Sequence, residues 1–173
     1  DLHTDNRRQR QMCIRDSNHT ATHLLHQALQ QVLGDHVEQK GSRVSSESLR
    51  FDFSHFSKLD ENDIIKVENF VNSRIENSIE LEENRNIPLK EALDKGATGL
   101  FGEKYGDVVR TIKFGNSYEL CGGTHVKNTR EVGKFKVISQ SSIASGVRRV
   151  EALRDKQLEE YEKAQSKDCL LYT

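Results

Sequence analysis

Leu49, Phe51 and Phe53 alternate with Arg50, Asp52 and Ser54. Successive side chains of a strand point to opposite faces, so this run fits a strand with one apolar face that another layer must cover. Arg50, Asp52 and Ser54 then face a cavity or solvent. The segments on either side carry a helical period instead. At about 100° per residue, Leu25, Leu29, Val32 and Leu33 fall on one face of a helix over residues 18–32. Ser17 or Asn18 would cap it and Gly34 would end it. Ile64, Val67, Phe70, Val71 and Ile75 make the inward face of a second helix over residues 60–74. Further strands are expected within 36–55, with a turn at Gly41-Ser42, and at 79–81, 108–114, 118–120, 134–139 and 147–153. Pro88 opens a short helix that ends before Gly96, and a charged helix begins near Asp155. Helices interspersed with hairpin-like strands define an α+β fold, an antiparallel sheet packed with helices.

The chain has 173 residues, enough for one domain with a core, although only 34% are apolar and 31% are charged. Net charge is −1, so no global basic field attracts nucleic acid. RNA contact would have to come from local groups: Lys40, Arg43 and Arg50; Lys104 and Arg110; Arg148 and Arg149. The plainer reading of each group, solvated surface, is the favoured one. Three cysteines, Cys13, Cys121 and Cys169, make no disulfide framework. No run suits a membrane span or a signal peptide, so no membrane partner and a cytoplasmic setting are expected. Residues 1–17 lack a hydrophobic period. Runs 11–17 and 169–173 resemble translated adapter sequence, so 1–17 are expected to be a non-native or disordered leader and 169–173 a non-native tail.

Two short motifs carry the chemistry. His19 and His23 are four apart on the first helix, close enough for both rings to reach one ion. At the helix start, the dipole would also disfavour the imidazolium and keep the metal-binding neutral ring. After the strand at 118–120, Gly122 and Gly123 permit a tight turn that brings Cys121 and His125 together. One thiolate with three imidazoles is a ligand set suited to zinc. The position that holds Glu in an HExxH metalloprotease holds Thr20, so that general base is absent. The bland alternative makes the histidines helix-edge polar residues and Cys121 a buried thiol. Gly96, Gly99, Gly102 and Gly106 lack the Gly-Lys-Ser/Thr ending of a phosphate loop, so no ATP site is expected.

Six blocks, in order, carry a family resemblance: residues 18–26 (NHTATHLLH), 39–42 (QKGS), 49–55 (LRFDFSH), 100–107 (LFGEKYGD), 119–126 (ELCGGTHV) and 146–151 (GVRRVE). Together they make residues 18–153 resemble the editing domain of alanyl-tRNA synthetases. They are similar, less closely, to free-standing AlaX proteins and to the threonyl-tRNA synthetase editing domain. The resemblance implies the common editing fold and a zinc ion on His19, His23, Cys121 and His125. It implies aminoacyl-tRNA deacylation: hydrolysis of serine or glycine from mischarged tRNA(Ala), the acceptor end being the partner. A pocket for alanine excludes those two poorly, and a second hydrolytic site is the remedy. Gln39 resembles a pocket residue that would bond the substrate. Thr20 and Thr22 are candidates to read the serine hydroxyl, and Arg148 to contact tRNA or order the site. Cys121 completes the catalytic set as a ligand. Residues 154–168 would form a helix leading towards a domain missing from the chain, which then reads as a synthetase fragment without its aminoacylation domain.

Two mechanisms stay open. In one, zinc lowers the pKa of a bound water that attacks the ester; in the other, it positions substrate for a water held elsewhere, and four ligands favour the second. A non-catalytic, zinc-stabilised tRNA-binding module and a zinc hydrolase for another ester or amide are the competing readings.

Overall fold

The computed structural model describes residues 2–99 and 103–171, without the side chains of residues 2, 3, 170 and 171. Of the block at 100–107, residues 100–102 therefore lie outside the described residues, as does the end of the tail at 169–173.

The elements run α1 (Leu2–Leu33), β1 (Gln39–Val44), β2 (Leu49–Ser54), α2 (Glu61–Glu76), β3 (Glu82–Pro88), α3 (Leu89–Asp94), β4 (Val108–Phe114), β5 (Ser117–Leu120), a 3-10 turn at Thr129–Val132, β6 (Phe135–Ala144), β7 (Val147–Arg154) and α4 (Asp155–Leu171). The strands form two antiparallel sheets, β1-β2-β7-β6 and β3-β4-β5. The expected α+β class holds, with two sheets in place of one.

Leu49, Phe51 and Phe53 are fully buried, as their alternation requires. They join Leu24, Leu25, Leu29, Val67, Val71, Phe114 and Phe135 in the main core, between helices α1 and α2 and both sheets. The opposite face of β2 is half covered. Asp52 is buried there, and Arg149 on β7 grips both its oxygens at 2.7 and 3.0 Å. A smaller core of Ile87, Ala92, Ala97, Val109 and Leu120 ties α3 to the three-stranded sheet.

Several boundaries differ from expectation. Helix α1 begins at Leu2, so Ser17 and Asn18 are not caps. Ser17 Oγ donates to Cys13 O one turn back (3.0 Å), and Asn18 donates to Ser45 O and accepts from Arg154. Their short polar side chains are spent on tertiary bonds. Residues 4–13 of this helix are exposed throughout. Gly34 does end the helix, at φ +117, with its N–H donating to Gln30 O (2.9 Å).

The turn expected at Gly41-Ser42 lies instead at residues 45–48, closed by Ser45 N–H donating to Ser48 O (3.1 Å). Gly41 sits within β1 beside a register shift, close against Asp52. The strand expected at 79–81 is β3, starting at Glu82. It is an outer strand whose one buried residue is Ile87, so it has no alternation to read. Pro88 ends that strand and caps α3 rather than opening the helix.

Candidate metal centre

Four side chains converge at the junction of α1 with the segment after β5. Each of His19, His23, Cys121 and His125 offers one ligand atom, and these atoms lie within 4.8 Å of one another. The three rings pack with centroids 4.2 to 5.1 Å apart. Cys121 Sγ lies 3.5 Å from His19 Nε2 and 3.3 Å from His125 Nε2.

The far nitrogen of each ring is held from outside. His19 Nδ1 donates to Thr124 O (3.1 Å). His125 Nδ1 meets Thr20 Oγ1 (3.1 Å), which also accepts from Val126 N–H (3.2 Å). His23 Nδ1 is bonded to the Glu119 carboxylate. Carbonyl and carboxylate oxygens only accept, so in the neutral rings of His19 and His23 the hydrogen sits on Nδ1 and the Nε2 lone pair turns inward. His23 Nε2 is buried without a hydrogen-bond partner. Outer bonds that fix tautomer and ring direction are the usual support of metal-ligating histidines. The donor set, one sulfur and three imidazole nitrogens, fits zinc. The residues therefore fit the metal that the sequence led us to expect.

Charge within the cluster is strongly coupled. Burial opposes the Cys121 thiolate, but the neighbouring His125, His19 and His23 rings outweigh it and bring the thiol down to about 3. Burial also opposes the His23 cation, yet the Glu119 carboxylate and Cys121 raise that imidazole to about 10. Burial would raise Glu119, but the adjacent His23 holds it at about 2. Burial, with His23 and His19 beside it, lowers His125 to about 4.

Gly123 gives the loop its closeness. A Cβ there would overlap the His19 ring, whereas a Cβ on Gly122 would meet nothing within 4 Å. Neither glycine has a positive φ, so clearance, not a tight turn, is what Gly123 supplies. Arg110 on β4 pins the same loop, donating to Cys121 O (3.1 Å) and Gly123 O while paired with Glu83. The helix-start argument for His19 does not apply, because α1 extends seventeen residues before it.

A cavity of about 100 Å³ adjoins the cluster, lined by Thr22, His26, Gln39, Ser42, Thr98 and Gly99 beside the ligands and Glu119. A second, of about 250 Å³, continues past His26 and Gln39 to Gln30, Asp35 and Glu38. The structure thus brings together His19, Thr22, His23, Gln39 and Cys121 of the expected site. Thr20 is turned to His125. Arg148 stands apart on β7, bonded to Gln140 (3.1 Å), and does not line the cavity.

Sequence reasoning gave no role at this site to Glu119 or the Thr98-Gly99 segment, placed His26 only beside His19 and His23 at the edge of the helix face, and read Arg110 as a candidate RNA contact. Glu119 was findable: two residues before Cys121 on a strand, it shares that residue's face. Thr98 and Gly99 had no local signal. They reach the site by pairing with β5, through Thr98 N–H to Tyr118 O and Leu120 N–H to Thr98 O (2.9 and 2.8 Å).

Residues 109–151 match the family described as the threonyl and alanyl tRNA synthetase second additional domain. The chain is also 64% identical over 137 residues to an alanine–tRNA ligase of Christiangramia forsetii, covering 79% of this chain and 16% of the relative. Similar proteins include the alanine–tRNA ligases of Flavobacterium psychrophilum (60% over 136 residues, 79% of this chain and 15% of the relative) and Porphyromonas gingivalis (56% over 152 residues, 88% and 17%). The chain thus spans about a sixth of the length of these relatives.

Proposed function

We propose that this chain is an aminoacyl-tRNA deacylase that hydrolyses the ester of serine or glycine mischarged on tRNA(Ala), the editing step of an alanine–tRNA ligase. The observation that carries the reading is the four-donor cluster at the wall of a small polar cavity. The alanine–tRNA ligase relatives support the substrate class.

Zinc would be held by His19, His23, Cys121 and His125, and when bound it supplies Lewis acidity and a fixed charge beside the ester. The protein's own groups do the rest. Thr124 O, Glu119 and Thr20 hold the rings in ligating orientation. Gln39 and Thr22, on the cavity wall, contact the amino-acid moiety. Water adds to the ester carbonyl, the tRNA ribose oxygen departs and takes up a proton, and free amino acid and tRNA result. Arg148 and the basic residues near it are proposed to meet tRNA rather than the reacting ester. Residues 18–153 form the deacylase unit, and a cytoplasmic setting follows from the substrate. No helix among the described residues is long and apolar enough to cross a membrane.

The test is release of serine from seryl-tRNA(Ala) by the zinc-loaded chain. Acceleration over spontaneous hydrolysis that disappears on chelation and returns with zinc is expected. An ester that persists at the spontaneous rate, with one zinc bound per chain, would instead identify a non-catalytic tRNA-binding module. The closed four-ligand set is what keeps that second reading.

A further inference from the structure

His26, one of the residues lining the cavity, carries a polar atom that neither the metal cluster nor the fold uses. His26 is only 4% exposed, with its ring centroid 5.4 Å from that of Phe51. Its Nδ1 donates to Glu119 Oε1 (3.0 Å), the oxygen that His23 leaves free. The carboxylate only accepts, so in the neutral ring the lone pair is at Nε2. That Nε2 is buried and has no hydrogen-bond partner. Buried polar atoms of native proteins are normally satisfied, so a vacant acceptor on a residue that lines a cavity points to a ligand's donor. His26 borders both the cavity at the cluster and the larger one adjoining it.

Two other polar groups on this wall are already committed within the fold. Thr22 Oγ1 donates to Asn18 O (2.9 Å), and Gln39 Nε2 donates to Ser42 Oγ (3.1 Å). Two features therefore coincide: a cavity small enough for a short side chain, and an unused acceptor that Glu119 fixes in place.

We propose that His26 is the residue that reads serine at this site, its Nε2 accepting the hydrogen of the seryl hydroxyl. This rests on the deacylase reading. Glycine carries no side-chain donor, so His26 distinguishes the two substrates and does not merely bind both. A site that bonds a substrate hydroxyl discriminates against the analogue lacking it, because the buried partner is then left unpaired.

The experiment compares the chain with His26→Phe and His26→Gln, measuring kcat/KM on seryl- and glycyl-tRNA(Ala) and zinc per chain. For His26→Phe, the serine-to-glycine ratio falls about tenfold with zinc retained. His26→Gln, whose amide oxygen accepts, recovers most of the ratio. Parallel loss on both esters overturns the proposal, since His26 would then act only by propping Glu119 and His23; so does an unchanged ratio. A second arm titrates the stable 3′-serylamido and 3′-glycylamido derivatives of 3′-deoxyadenosine by calorimetry. The unsubstituted chain prefers the seryl compound and His26→Phe does not; absence of preference in the unsubstituted chain overturns the proposal. Preference without hydrolysis of either ester sinks the deacylase reading alone and leaves His26 as a serine acceptor.

Discussion

At Gly123 the loop backbone and the His19 ring occupy nearly the same space, and a methyl group is enough to part them. Gly123→Ala must push away either His19 or the Cys121-to-His125 loop, opening a cluster whose ligand atoms now lie within 4.8 Å. Its neighbour is the internal control, because a Cβ on Gly122 enters open space. Zinc content by elemental analysis should fall well below one per chain for Gly123→Ala and stay near one for Gly122→Ala. Equal content in both would show that the loop yields at no cost. Cys121→Ala removes the only sulfur donor and should abolish tight zinc binding, with deacylation falling by at least about tenfold (~1.4 kcal/mol). Full zinc and full activity in that variant would remove the metal assignment. The ligands themselves were readable, since a four-residue spacing on a helix and a Cys-Gly-Gly-Thr-His run are local patterns. Their support was less so. Thr124 O, Thr20 and Arg110 act across more than a hundred residues or between strands, and no local pattern announces such bonds.

Helix α2 shows an element whose start was legible nearly to the residue. Asp60 caps it, accepting from Asp63 N–H (2.8 Å), while Asp63 Oδ2 accepts from Asp60 N–H (3.3 Å). Asp60→Ala should cost about 1 kcal/mol, seen as a fall in Tm of roughly 2–4 °C for a domain of this size. A Tm unchanged within error would mean that packing of Val67, Val71 and Ile75 alone sets this helix. Helix α1 is the opposite case. Its N-terminal half has no apolar stripe, so pattern reading started the helix where the stripe starts. What the periodicity omitted is Arg154, at the end of β7 and 3% exposed. Its guanidinium donates to Asn18 Oδ1, Val132 O and Ile14 O (2.6, 2.8 and 2.9 Å) and so fastens α1 to the sheet. Burial pushes its pKa down. Arg154→Met would leave three acceptors without this donor, and a loss of about 2–4 kcal/mol in denaturant unfolding is expected.

For the whole molecule, the metal cluster should set how stability responds to pH once zinc is removed by chelation. His125 titrates at about 4 when folded against 6.5 ordinarily, and Cys121 at about 3 against 9.0. Between pH 6.5 and 4 the unfolded chain therefore binds protons at both residues that the folded chain refuses. Stability rises with pH where the unfolded state holds more protons, so acidification through this window destabilises, with a slope approaching two protons. His23, at about 10 when folded, has the opposite sign: its contribution is complete below 6.5 and is lost as pH rises towards 10. Between 6.5 and 9 the slopes of His23 and Cys121 oppose one another, and stability should be nearly flat. Below 4.5 the depressed Glu119 adds its own loss as pH falls towards 2. Zinc alters this balance, because it requires a neutral His23 and so displaces the proton held there at neutral pH. Urea unfolding of the chelated chain should thus give a plateau from pH 6.5 to 9 and a steady decline below it. Zinc affinity should climb across the same plateau. A chelated chain with equal stability at pH 5 and pH 7.5 would show that the cluster is already open when the metal leaves, and that the outer bonds from Glu119, Thr20 and Thr124 do not hold it preformed.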